Sequence, residues 1–170
     1  KIVVNNLHKP IQDNYVFFIK SKYPSPSEIE KGVPTILFYG ERNNPNAKST
    51  DLTLREKINQ EISKYNVYEA LLVNKDDEIT EGSKSNIFAV KENCFYTPPA
   101  KDVLQGVTRG YIIEICNSLG YELSEAPIPV KKLPDMDGLF MTGTSPQVLP
   151  ICSVDGIKLF SSTNPVIEKI

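Results

Sequence analysis

Histidine and tryptophan are nearly missing from this chain. Its 170 residues include one histidine, His8, and no tryptophan. A serine–histidine or cysteine–histidine nucleophile would rest on His8 alone, and a histidine-rich metal centre is excluded. Cysteine is scarce as well. Cys94, Cys116 and Cys152 are odd in number and lack the paired spacing of a zinc site. They read as small buried residues of a reduced, cytoplasmic protein. No apolar run reaches the roughly 20 residues needed to cross a bilayer. Nor does either charge predominate: 19 Lys and Arg against 21 Asp and Glu leave a net charge of −2, without the footprint of a nucleic-acid or anionic-membrane binder.

What is present suffices for a real core. Hydrophobic residues make up 40% of a length suited to one domain, or one domain and part of a second. The sequence opens at Lys1 in what reads as mid-strand, so a fragment of a longer protein is expected. KIVVNN (1–6) and YVFFIK (15–20) have the apolar content of strands. SKYPSPSEIEKG (21–32), with Pro24, Pro26 and Gly32, is the expected linker, and 33–170 the main domain.

Within that domain VPTILFYGE (33–41) is β-rich, and a helix is expected over about 51–64. Leu54, Ile58, Ile62 and Tyr65 recur there at helical spacing, with Asp51 or Thr53 as cap and Thr53–Glu56 spaced as a capping box. VYEALLVN, ITEGS, SNIFAV and CFYT follow as strands. A second helix is expected from Val107 to Leu119, with Tyr111, Ile112, Ile115 and Leu119 on one face and Gly120 at its end. GLFMTG and QVLPICSV complete the strands, with Asp155-Gly156 as a tight turn into IKLF. Many strands with a few interspersed helices predict a mixed α/β domain whose mixed sheet curls toward a barrel.

Four features could carry chemistry. QGVTR (105–109) opens the second helix, where unpaired N–H groups and the helix dipole favour an anion; Gly106 permits close approach and Thr108 adds a hydroxyl. TGTSP (142–146) is a second donor-rich turn at a strand end. Lys48 stands in a polar loop before the first helix. Glu81, in EGSKSNIF (81–88), stands where the chain enters a buried strand. Taken singly, these have plain readings as a loop–helix junction, a turn, a solvated lysine and a turn carboxylate. Two such turns on one phosphate would hold a dianion without a lysine cluster.

Together, NPNAKS, YEALLVN, ITEGSKSNIF, LQGVTR and MTGTSPQVLPI occur in an order and at separations that resemble the class IV aminotransferases, over about residues 33 to 155. This family comprises the fold-type IV pyridoxal-phosphate enzymes, among them branched-chain and D-amino-acid aminotransferases and aminodeoxychorismate lyase. The resemblance implies a pyridoxal 5′-phosphate cofactor, amino acid and 2-oxo acid substrates, and a homodimer. It implies that Lys48 bonds to the cofactor aldehyde and moves the substrate proton, and that Glu81 pairs with the pyridine nitrogen. Gly106, Val107 and Thr108 would hold the phosphate, with Gly143 and Thr144 as the second phosphate contact, while Ser85 and Asn86 shape the same site. It also implies that residues 1–20 are the end of a smaller N-terminal domain. STDLT follows Lys48 where branched-chain enzymes carry a GGNY-like sequence, a departure from that subgroup. A lyase releasing pyruvate and a non-catalytic binding domain of the same fold are the alternatives. Arg42 and Arg109 are expected to form structural ion pairs, and the chain alone is expected to retain the cofactor weakly.

Overall fold

The structure, a computed structural model, describes residues 2–5, 10, 13–16, 18, 23–42, 46 and 52–170. Strands β1 (Ile2–Asn5) and β2 (Asp13–Val16) pair antiparallel, with Ile2 opposite Val16. The expected linker carries a short helix, α1 (Pro26–Lys31). Ser25 and Glu28 cap it reciprocally: the Glu28 carboxylate accepts from the Ser25 N–H at 2.7 Å, and the Glu28 N–H donates to the Ser25 hydroxyl at 3.3 Å. Pro26 opens the first turn, where its missing N–H costs nothing.

The main sheet contains β3 (Val33–Tyr39), β4 (Glu69–Val73), β5 (Glu78–Gly82), β6 (Asn86–Lys91), β7 (Cys94–Thr97), β8 (Glu122–Glu125), β9 (Ile128–Pro129), β10 (Gly138–Gly143), β11 (Gln147–Val154) and β12 (Ile157–Lys158). Its path is β8-β7-β6-β10-β11-β3-β4-β5-β9, with β12 attached to β11. The β11–β3, β3–β4 and β7–β8 pairs are parallel and the remainder antiparallel. A short turn joins β5 to β6, strands far apart on that path, so the mixed sheet curls into a half-barrel. This is the architecture the element order predicts.

The curl creates an inside and an outside. Leu71, Val73, Ile79, Ile87, Leu139 and Met141 point inward to the largest buried cluster. Outside, α2 (Leu52–Tyr65) covers β3 and β4 through Ile58, Ile36, Ala70 and Leu72. Helix α3 (Val107–Ser118) covers β6, β7 and β10 through Ile112 and Cys116, against Phe88, Phe95 and Phe140.

Several sequence expectations need correction. Tyr111 and Leu119 are 60% and 51% exposed, because α3 turns Arg109, Ile112 and Cys116 to the sheet. Tyr65 likewise faces solvent at the end of α2. Thr53 is already the second helical residue of α2 and cannot be its cap; Asp51 lies outside the described residues. Of the three cysteines only Cys116 is fully buried. Strands β8 and β9 are short edge elements whose sequences, ELSE and IP, carry no apolar alternation to reveal them.

Candidate active site on the outer face

The site begins with a register irregularity. Opposite β5, the ladder shifts between Leu72 and Val73, so Ile79 pairs with Val73 and Glu81 with Leu72. Ile79 therefore points inward with Val73, whereas Glu81, two residues later, points outward with Leu72. A bulge of this kind re-aims a side chain without ending the strand. On β6 and β10, Phe88 lies opposite Phe140 and Asn86 opposite Thr142. Both phenylalanines pack under α3, so Asn86 and Thr142 share that outer face.

The segment before α3 is fastened to this face. The Leu104 N–H donates to Glu81 Oε2 at 3.3 Å, and the Asn86 amide donates to the Leu104 carbonyl at 2.7 Å. Asn86 Oδ1 lies so close to Gly106 that any Cβ there would overlap it. Gly106 is the N-cap with φ −66°, an ordinary value, so close packing by Asn86, not backbone conformation, demands glycine. It offers no side-chain cap, and the first N–H groups of α3 remain unpaired within the helix. Val107 is exposed and Thr108 half-buried.

Glu81 is 3% exposed. Its other oxygen meets Arg42 Nε at 3.1 Å, and Arg42 Nη2 also donates to the Ser83 carbonyl at 3.3 Å. Glu41, Arg42, Asn74, Thr80, Glu81 and Asp102 line a cavity of about 170 Å³ here. Burial raises the Glu81 pKa above the ordinary carboxyl value; Arg42 and the Leu104 N–H pull it down, and nearby Glu69 pushes it up. The second arginine also forms its expected ion pair. Arg109 Nη2 meets Glu125 at 2.8 Å and the Pro98 carbonyl at 3.0 Å, tying the first turn of α3 to the end of β8.

Gly143 ends β10 and Thr144 follows it into the turn toward β11. A Cβ on Gly143 would lie 3.2 Å from Pro146 and 3.7 Å from the Lys84 carbonyl, so this turn sits beside the β5–β6 turn. Glu81, Asn86 and Gly106 are thus joined through Leu104, with Gly143 close by. Ser85 points elsewhere: its hydroxyl donates to Glu69 at 3.1 Å. Lys48 lies outside the described residues, as does His8. Sequence reasoning passed over Glu69 and Leu104; the Thr142 hydroxyl, one of the three in the TGTSP turn, is fully buried and has no hydrogen-bond partner among the described residues. A signal for Glu69 existed, since it is a lone carboxylate at the mouth of the apolar run EALLV.

Comparison with known proteins shows the family. Residues 5–154 match the family described as amino-transferase class IV. The chain is 33% identical over 110 residues to D-alanine aminotransferase of Bacillus licheniformis, covering 64% of this chain and 38% of that protein. It is 30% identical over 156 residues to the branched-chain-amino-acid aminotransferase of Escherichia coli K12, covering 87% and 50% respectively. The branched-chain aminotransferase of the thermophilic archaeon Thermoproteus uzoniensis, solved with norvaline, superposes with a TM-score of 0.75 at 31% identity, over 82% of this chain and 49% of that one. The chain therefore spans half or less of the length of these relatives. With 150 consecutive positions matched and the fold shared, it belongs to the class IV aminotransferase family.

Proposed function

We propose that the protein carrying this chain is a pyridoxal-phosphate-dependent aminotransferase that moves an amino group between an amino acid and a 2-oxo acid. The observation that carries this reading is the outer face itself: a buried carboxylate at one end and an uncapped helix start at the other, fastened together by Leu104. Class IV aminotransferases depend on pyridoxal phosphate, and the residues present suit it. Glu81 lies in a pocket whose carboxylates outnumber its arginine, an environment that accepts a protonated ring nitrogen. The unpaired N–H groups at the start of α3 supply donors for a phosphate.

When bound, the cofactor supplies a cationic ring that accepts electron density from the substrate α-carbon. Glu81 keeps the ring nitrogen protonated. Val107 and Thr108 hold the phosphate through the helix start, with Gly143 and Thr144 as the second contact. Asn86 fixes the approach of α3, and Ser85 acts through Glu69. Lys48 would hold the cofactor and would move the proton at the substrate α-carbon.

The same reading makes residues 1–20 the end of a smaller domain, 21–32 a connection and 33–170 the cofactor domain. It makes the protein cytoplasmic and homodimeric, without nucleic-acid or membrane partners. The near-balanced charge supports the lack of a nucleic-acid partner, and no described helix is long and apolar enough to cross a membrane.

Borohydride reduction of the chain with pyridoxal phosphate, followed by peptide mapping, tests the assignment. The added mass is expected on Lys48 and lost in Lys48→Ala; equal labelling of many lysines overturns it. In the intact protein, a 2-oxo acid should restore the cofactor from its amine form. An aminodeoxychorismate-type lyase does not need that half-reaction.

A further inference from the structure

Glu69 begins β4 and is 4% exposed, on the inner face with Leu71. One of its oxygens accepts three hydrogen bonds from a single turn: the Lys84 N–H at 2.6 Å, the Ser85 hydroxyl at 3.1 Å and the Ser83 hydroxyl at 3.3 Å. Among the described residues no lysine or arginine nitrogen forms an ion pair with it. Its hold on the turn is therefore one of hydrogen bonding.

The turn is built around that carboxylate. The Gly82 N–H donates to the Ser85 carbonyl at 2.8 Å, and the Ser83 N–H to the Ala70 carbonyl at 2.9 Å. A Cβ on Gly82 would lie 2.6 Å from Glu69 Oε1 and overlap the Ser85 hydroxyl, so no larger residue fits while Glu69 occupies its place. Glu81 enters the turn and Asn86 leaves it. Arg42, the Glu81 partner, also ends on it through the Ser83 carbonyl. Strand side chains alternate between faces, so a slip of one residue at this turn would carry Glu81 or Asn86 to the inside of the half-barrel.

We propose that Glu69 is a positioning residue: from the inner face its carboxylate holds the 82–85 turn, and through it keeps Glu81 and Asn86 on the outer face. The inference rests on the reading that this face holds pyridoxal phosphate.

Amide exchange and pyridoxal-phosphate affinity of the chain, measured for Glu69→Ala and Glu69→Gln, test this. Glu69→Ala should speed exchange at Gly82 and Lys84 at least about tenfold and weaken affinity by about as much, because buried donors lose their acceptor. Glu69→Gln, whose carbonyl can accept the same bonds, should hold both within about threefold of wild type. Unchanged exchange in Glu69→Ala overturns the proposal. So does faster exchange with undiminished affinity, or a glutamine variant as damaged as the alanine one. If Glu69→Ala does not fold, Ser83→Ala/Ser85→Ala removes two of the three donors and should still weaken affinity; unchanged affinity there also overturns it. Failure of the intact protein to take up pyridoxal phosphate would sink the cofactor reading; where this chain alone binds too weakly to measure, the hold on the turn is judged by exchange alone.

Discussion

At the scale of single residues, Glu81 is held between opposing influences. Burial favours its neutral form, while Arg42 and the Leu104 N–H favour the charged one, and burial prevails. A carboxyl whose folded pKa is raised contributes stability that is complete below its unfolded value, near the ordinary 4.5, and that is lost as pH rises through the folded value. Glu81→Gln removes this dependence. The difference in urea midpoint, variant minus wild type, should therefore become more positive as pH increases from about 4.5 upward; a pH-independent difference would refute the assignment. Arg42→Met leaves the buried carboxylate without its cation. The expected cost at neutral pH is on the order of 3 kcal/mol, toward the low end for a broken buried pair because Arg42 keeps some solvent contact. It should shrink in acid, where Glu81 is protonated, and denaturation at the two pH values checks it.

Among elements, the decisive junction is between β6 and the start of α3. Two glycines of that region separate packing from propensity. Gly106→Ala drives a methyl into Asn86, whose amide secures Leu104. It should destabilise the chain by about 1–3 kcal/mol, as overpacking does, and weaken pyridoxal-phosphate binding. Gly110, one turn along α3, has open space around any added Cβ. Gly110→Ala should stabilise the chain by about 0.5–1 kcal/mol through helix propensity alone. Thermal melts of the two variants, compared with wild type, give the opposite signs. The capping box of α1 makes a related point. Its Ser-Pro-Ser-Glu sequence carries a helix-start signal, yet the density of proline around it reads as a connection.

On the scale of the molecule, the curl of the sheet turns a list of motifs into a site. The outer aromatic cluster under α3 is the joint that keeps helix and sheet together: Phe88 and Phe140 stack at 5.1 Å, and Phe95 meets Phe140 edge-on at 6.2 Å. Phe140 is fully buried, so Phe140→Ala should cost about 3–5 kcal/mol in urea unfolding. Cofactor affinity should fall with it, because α3 rests on this cluster through Ile112 and Cys116. A loss of stability without a change in affinity would mean that the helix start is held by Leu104 and Arg109 alone.

Strands, helices and turns were legible because local chemistry marks them. GLFMTG and QVLPICSV have the observed bounds of β10 and β11, and Asp155-Gly156 takes the positive φ values of a tight turn. Glu81, Gly106 and Thr144 also stood out, since unusual residue types at element boundaries are visible in one dimension. Which way Glu81 points was not, because a bulge opposite Leu72 breaks the alternation that a strand would otherwise impose. Equally hidden were the partners of Glu69 in the 82–85 turn and the true reason for Gly106. The sequence by itself determined which elements form and which residue types reach their ends, since these follow from local periodicity and backbone preference. Only the tertiary structure decided which ends meet, because that depends on contacts between residues far apart in the chain.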